Sequence, residues 1–216
     1  MKLLLGVEAL SFMEKEGFLV LKAGLAGNPD EAVLIAERIG FPVALKISSP
    51  DVLHKTDEQG VRLFLASEGE VRKAFHELSE GFVSRAPRKR LDGTIVQQMG
   101  SGVEVIVGSL IDGQFGPVLM FGLGGIFAES TRDVSFRPLP INHHDAGEMI
   151  RDLRASRVLT NPRGERIDVT AIEQLLVQVS DLIARHEEIQ EMDLNPVIVS
   201  SCGLHICDAR IKAATE

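Results

Sequence analysis

Lys46 and His54 lie close together in the stretch Phe41–Val61, FPVALKISSPDVLHKTDEQGV. A lysine ammonium suits an anionic phosphate, and an imidazole suits phosphoryl or proton transfer. Lys46 stands at the end of a short apolar run. It reads either as a surface lysine snorkelling over that run or as a phosphate contact facing a cleft. His54 reads either as an exposed loop histidine with no role or as the acceptor of a phosphoryl group on an imidazole nitrogen. In the second case a nearby lysine would hold the transferred charge. The polar loop Ser48–Gly60 around it is longer than most connections, and long loops are often functional.

A second set of residues lies towards the C-terminus. Asn195 and Asp208 each end a short apolar segment, and a turn at Cys202-Gly203 would fold those segments side by side. An amide oxygen beside a carboxylate makes a hard-oxygen site fit for Mg²⁺, which keeps waters and takes further oxygens from nucleotide phosphates. An Asx-type turn before Pro196 and an exposed carboxylate is the other reading. Arg210, two residues beyond Asp208, would add positive charge on the same strand face. Glu104 follows the Gly100-Ser101-Gly102 break and is either a ribose contact or a surface glutamate. Gly122-Leu123-Gly124-Gly125 has neither the dinucleotide nor the P-loop spacing. Gly124 and Gly125 make either a plain turn or a close approach of backbone N–H groups to phosphate. His143 and His144 read as a loop leading into the helix after them, and His76, His186 and His205 carry no motif.

Composition narrows the classes. The chain has 216 residues, 44% hydrophobic and 25% charged, with a net charge of −8. That is enough for a real core, and it argues against a binder of nucleic acid or of an anionic membrane. The cluster Arg85, Arg88, Lys89 and Arg90 reads as a solvated connector. Cys202 and Cys207 flank GLHI, which as a strand would point them to opposite faces, and they have no metal-ligand spacing. Reduced thiols in a cytoplasmic protein are expected. The opening MKLLLG is soon followed by Glu8, Glu14 and Glu16, and no apolar run approaches the length of a membrane span.

These residues need elements to position them. A helix is expected over 7–16, stopped by Gly17. Asn28, Pro29 and Glu31 open another, with Ala32, Ile35, Ala36 and Ile39 inward and Gly40 closing it. Strands follow at Val43–Ile47 and Val61–Ala66, then a helix from Ser67 and Glu70, so that two βα-type units are read. Thr94–Met99 is a strand, and Val103–Ile111 turns at Asp112-Gly113 to return as Pro117–Phe121. Asp145 and Glu148 start a helix. Thr170 caps the longest one, with Glu173 at its third position. Strands Ile189–Leu194, Val197–Ser200 and Leu204–Asp208 end the chain. The architecture is α+β with two lobes, about 18–98 and 99–216, and a cleft as the natural ligand site.

Taken together these segments resemble an ATP-grasp domain. The chain is similar to the β subunit of ADP-forming (NDP-forming) acetyl-CoA synthetase, a relative of the succinyl-CoA synthetase β subunit. The resemblance rests on FPVALKISSPDVLHKTDEQGV, GVEVIVGSLIDGQFGPVLMFGLGGIF, DVSFRPLP, and EMDLNPVIV followed by CDARI. It implies two α+β lobes enclosing a nucleotide cleft. Lys46 matches the family's nucleotide-binding lysine, Gln97, Gln98 and Met99 the hinge that meets adenine mainly through backbone, and Glu104 lies close behind. Asn195 and Asp208 match the Mg²⁺ ligands, and Arg210 their phosphate-side neighbour. His54 matches the histidine of the HK[ST]D loop, which passes a phosphoryl group between an α-subunit histidine and ADP. Where the family usually has two glycines before the following strand, this chain has Gln59-Gly60.

The resemblance implies an acid–thiol ligase using ATP or ADP with Mg²⁺: acyl-CoA + ADP + phosphate ⇌ carboxylic acid + ATP + CoA. The chain has no segment matching a CoA-binding domain, so a separate CoA-binding α subunit is expected as partner. A stand-alone ATP-grasp ligase acting through an acyl phosphate, or a nucleotide-sensing subunit without chemistry, are the alternatives.

Overall fold

The computed structural model describes residues 1–52, 60–125, 133–160 and 167–215. They form two compact units, Leu21–Met99 and a second made of Met1–Val20 with Gly100–Glu216.

In the first unit four strands, β2 (Ala23–Ala26), β3 (Val43–Ser48), β4 (Val61–Leu65) and β5 (Gly93–Gln98), pair in the order β2-β5-β3-β4. All pairs are antiparallel. β2 and β3, joined by a helix, both oppose β5 and so run parallel to one another. β4 and β5 are related in the same way through β3. The βα-type units are thus present as two split βαβ units, each with one antiparallel strand between its parallel pair. Helices α2 (Pro29–Ile39) and α3 (Glu68–Arg85) start where their caps predict. Asn28 Oδ1 accepts from Glu31 N at 3.0 Å, and Ser67 Oγ from Glu70 N at 3.3 Å. Each satisfies an N–H that the first turn leaves without a helical partner. Val33, Ala36, Val71, Leu78 and Phe82 of these helices bury against Leu45, Ile47 and Val96 of the sheet.

The second unit is a seven-stranded antiparallel sheet. Its strands are β1 (Lys2–Leu5), β6 (Val103–Asp112), β7 (Gly116–Leu123), β8 (Val134–Pro138), β9 (Ile189–Ser200), β10 (Gly203–Ile206) and β11 (Ala209–Ala213). The order is β1-β11-β9-β6-β7-β8, with β10 also on β9. The β6–β7 turn is held by Asp112, whose Oδ1 accepts from the N–H groups of Gln114 and Phe115. Those two bonds hold its carboxyl below the ordinary range. Along β9, Met192 and Leu194 are buried while Glu191 and Asp193 are half-exposed and Asn195 exposed. That period of two marks a sheet with one face covered and one open. On the covered side α1 (Gly6–Lys15) lies against β11, and α4 (His143–Asp152) against β8 and against α6 (Val169–Arg185), which also meets β10. A single turn, α5 (Arg157–Thr160), precedes α6. Buried Asp133 accepts from the N–H groups of Arg154 and Ala155 after α4.

Several boundaries differ from expectation. β1 and β2 were not foreseen. His143 and His144 are the first residues of α4, whose cap is Asn142 in a reciprocal bond pair with Asp145. Asp168 caps α6 through Ala171 N at 3.1 Å, so Thr170 lies inside the helix, and α3 is longer than α6. Cys202 is exposed, Cys207 is buried, and both are thiols. Among the described residues no helix is long and apolar enough to cross a membrane.

Candidate functional site

Lys46 lies on β3 and is half-buried, and its Nζ donates to Gln97 Oε1 at 2.7 Å. Gln97, on the neighbouring central strand β5, is 1% exposed. Its side chain is therefore turned into the sheet, towards Lys46. Gln98 is exposed and its main-chain N–H is bonded to Lys22 O, and Met99 closes the unit. His54 lies outside the described residues. The chain on either side of its loop is pinned within the same unit. Val52 N donates to Ser49 O, Asp51 Oδ2 accepts from Arg90 N, and Gly60 O accepts from Ile47 N at 2.8 Å.

The second unit carries the other candidates on the open face of its sheet. β9 pairs with β10 through its second half and with β11 through its first, and the handover falls at one point. There Asn195 N donates to Asp208 O at 3.1 Å, so the two residues sit side by side. Asp208 Oδ1 accepts from Ala209 N at 3.0 Å, which fixes the carboxylate over the start of β11. Arg210 stands opposite Asp193 in register, and Asp193 stands opposite Gly108 on its other side. Arg210 Nη2 is 4.0 Å from Glu191 Oε1, and Lys212 Nζ is 3.9 Å from Glu191 Oε2. The Nε of Arg210 is buried with no hydrogen-bond partner among the described residues. A hollow of about 560 Å³ opens on this face, lined among others by Ile106, Gly108, Met120, Asp193 and Asn195.

Glu104 is exposed at the start of β6. Gly124 N donates to Glu104 O at 2.7 Å, so that N–H is engaged within the sheet. The glycines are needed for a steric reason. A Cβ on Gly124 would lie 2.9 Å from Glu104 Cβ, and one on Gly125, at φ +59°, 3.2 Å from Glu104 Oε2. Together they form the seat of Glu104.

The sequence reading passed over Asp193. The alternation Glu191, Asp193, Asn195 in EMDLN was the available signal, because residues two apart on a strand share a face. Among the described residues no three of His, Cys, Asp and Glu gather as a metal cluster. One amide and one carboxylate do not make an all-protein cage. They do fit Mg²⁺, which retains waters and fills its octahedron from phosphate oxygens.

The sequence profile of the ATP-grasp domain family matches residues 1–213. The chain is 40% identical over 206 residues to the β subunit of acetate–CoA ligase [ADP-forming] I of Pyrococcus furiosus, covering 94% of this chain and 89% of that one. It is 46% identical over 213 residues to acetate–CoA ligase [ADP-forming] I of Archaeoglobus fulgidus, covering 98% of this chain but only 31% of that longer protein. The fold superposes with a TM-score of 0.93 on the dinucleotide-forming acetyl-coenzyme A synthetase 1 of Ca. Korarchaeum cryptofilum, in complex with coenzyme A, Ca-AMPCP and HgCl⁺. Identity there is 46%, over 99% of this chain and 94% of that one. In another structure of that enzyme, with Mg-AMPPCP, the phosphohistidine segment points towards the nucleotide binding site. The chain belongs to the ATP-grasp family, within the group formed by the β subunits of ADP-forming acetate–CoA ligases.

Proposed function

We propose that the chain is the nucleotide-binding unit of an ADP-forming acyl-CoA synthetase, and that it passes a phosphoryl group between a histidine and ADP. The observation that carries this reading is the meeting of Asn195 and Asp208 on one open sheet face beside Arg210. An oxygen pair next to a cation suits a metal-bound phosphate chain, and the ATP-grasp relatives named above are ligases of this type.

In this reading Lys46 and Arg210 neutralise the phosphates. Glu104 accepts from a ribose hydroxyl, and the run through Gln98 and Met99 passes the base. Asn195 and Asp208 hold Mg²⁺, which when bound draws negative charge from the phosphate oxygens. His54 carries the phosphoryl group. An oxygen of the ADP β-phosphate forms the new P–O bond as the N–P bond breaks, and the electron pair of that bond returns to the imidazole nitrogen. Acyl transfer to and from CoA belongs to a CoA-binding α partner. The thiols of Cys202 and Cys207 suit a reducing compartment, and we place the protein in the cytoplasm.

The test is to assay the full chain with a CoA-binding α partner for ATP turnover that requires both acid and CoA. Turnover with an acid-labile, base-stable ³²P label on His54 is the expected result. Acid-dependent turnover with no ³²P on the chain would point to an acyl-phosphate ligase, in which the phosphoryl group goes to the substrate carboxylate, and no turnover would overturn the reading.

A further inference from the structure

Gln97 is a neutral amide, 1% exposed, on a strand with neighbours on both sides. A buried amide is costly unless its polar atoms are bonded, and a leucine would fill similar space without that cost. Its Oε1 receives the Nζ of Lys46 at 2.7 Å, a charge-assisted bond. Lys46 pairs with Ile95 and Gln97 with Ala44, so the two residues stand diagonally on one sheet face. The bond turns the lysine stem along the sheet, towards the Gln97 end of β5, where an unrestrained lysine would extend into water. A long side chain loses considerable rotamer entropy on being fixed, and here that loss is met before any ligand arrives.

The identity of the acceptor matters as well. A glutamate at 97 would hold Lys46 but cancel its charge. A leucine would leave the charge and release the side chain. Glutamine alone of the three both orients the ammonium and leaves it positive.

We infer that Gln97 is a positioning residue: it presents the Lys46 ammonium to the phosphates of a nucleoside diphosphate or triphosphate, and it does not read the base. This rests on the nucleotide reading above and changes the role that the hinge resemblance implied for Gln97.

The experiment is calorimetric titration of the full chain with ADP and with adenosine, for wild type, Gln97→Leu, Gln97→Glu, Lys46→Met and the double variant Lys46→Met with Gln97→Leu. A hydrogen bond to a charged group is worth enough for Gln97→Leu to weaken ADP about tenfold. Gln97→Glu should weaken ADP at least as much through charge cancellation, and adenosine affinity should be unchanged in both. In the Lys46→Met background the Gln97→Leu change should cost nothing further. Equal losses for adenosine and ADP, or additive losses in the double variant, would overturn the role of Gln97. If Gln97→Leu does not fold, the adenosine-to-ADP comparison in Gln97→Glu decides by the same criterion. Wild-type protein that binds no ADP would overturn the nucleotide reading itself, and this inference with it.

Discussion

Asn195 and Asp208 are joined by a single main-chain bond of 3.1 Å at the point where β9 exchanges one partner strand for the other. Neither side chain has to be carried there by a loop. The pairing of β9 with β10 and β11 brings them together as a consequence of register. Asp208→Asn and Asn195→Ala should therefore leave the fold intact. Each should lower the affinity for ADP in the presence of Mg²⁺ by about tenfold or more. Affinity measured in EDTA should change little. Equal losses with and without the metal would remove both residues from the metal site.

Gly124→Ala is expected to destabilise the second unit by about 1–3 kcal/mol, because its Cβ would meet Glu104 backbone and Cβ at 3.1 and 2.9 Å. Gly113→Ala, at a turn where nothing lies within 4 Å, is the control and should be close to neutral. Urea denaturation of the two variants checks the pair. Similar midpoints would mean that Gly124 is not a seat for Glu104.

His54→Ala should abolish acid- and CoA-dependent ATP turnover with the α partner while leaving ADP affinity within about twofold of wild type. Parallel loss of turnover and binding would make His54 a structural residue of its loop.

Glu16 supplies a pH-dependent tie between the end of α1 and the end of α6. Burial disfavours its charged form. Bonds from Arg185 at 2.9 Å and His186 at 3.3 Å outweigh that and hold its carboxyl below the ordinary glutamate value of 4.5. A depressed carboxyl pKa adds stability above the unfolded value, and that stability is lost as pH falls through the folded one. Glu16→Gln should thus lower Tm by about 2–4 °C near neutral pH. The gap from wild type should close in acid below 4.5. A gap that persists in acid would assign the loss to packing.

The parts of the fold that were legible in the sequence are local ones. Asn28 and Ser67 could be read as caps because the groups they satisfy lie three residues away. Thr170 was mistaken for a cap because Asp168, two residues earlier, is an equally good acceptor and reaches Ala171 first. β1 and β2 were missed for a different reason. KLLL and AGLA have no alternation of their own, and their partners β11 and β5 are remote in sequence. The candidate site divides in the same way. Lys46, Asn195 and Asp208 stand out by residue type and by their place at the ends of apolar runs. Asp193 and the bond from Lys46 to Gln97 depend on strand register, which no single segment specifies.

β1 completes the sheet by pairing with β11, from Lys2 opposite Ala213 to Leu5 opposite Arg210. The unit that carries Asn195, Asp208 and Arg210 is therefore assembled from two stretches, with Leu21–Met99 inserted between them. On the ribosome the inserted unit can finish folding while β1 and α1 still wait for a strand not yet synthesised. High contact order makes that last closure slow. Of the two proposed phosphate contacts, Lys46 can thus be in place early in synthesis, and Arg210 is set only when the first strand and β11 have met.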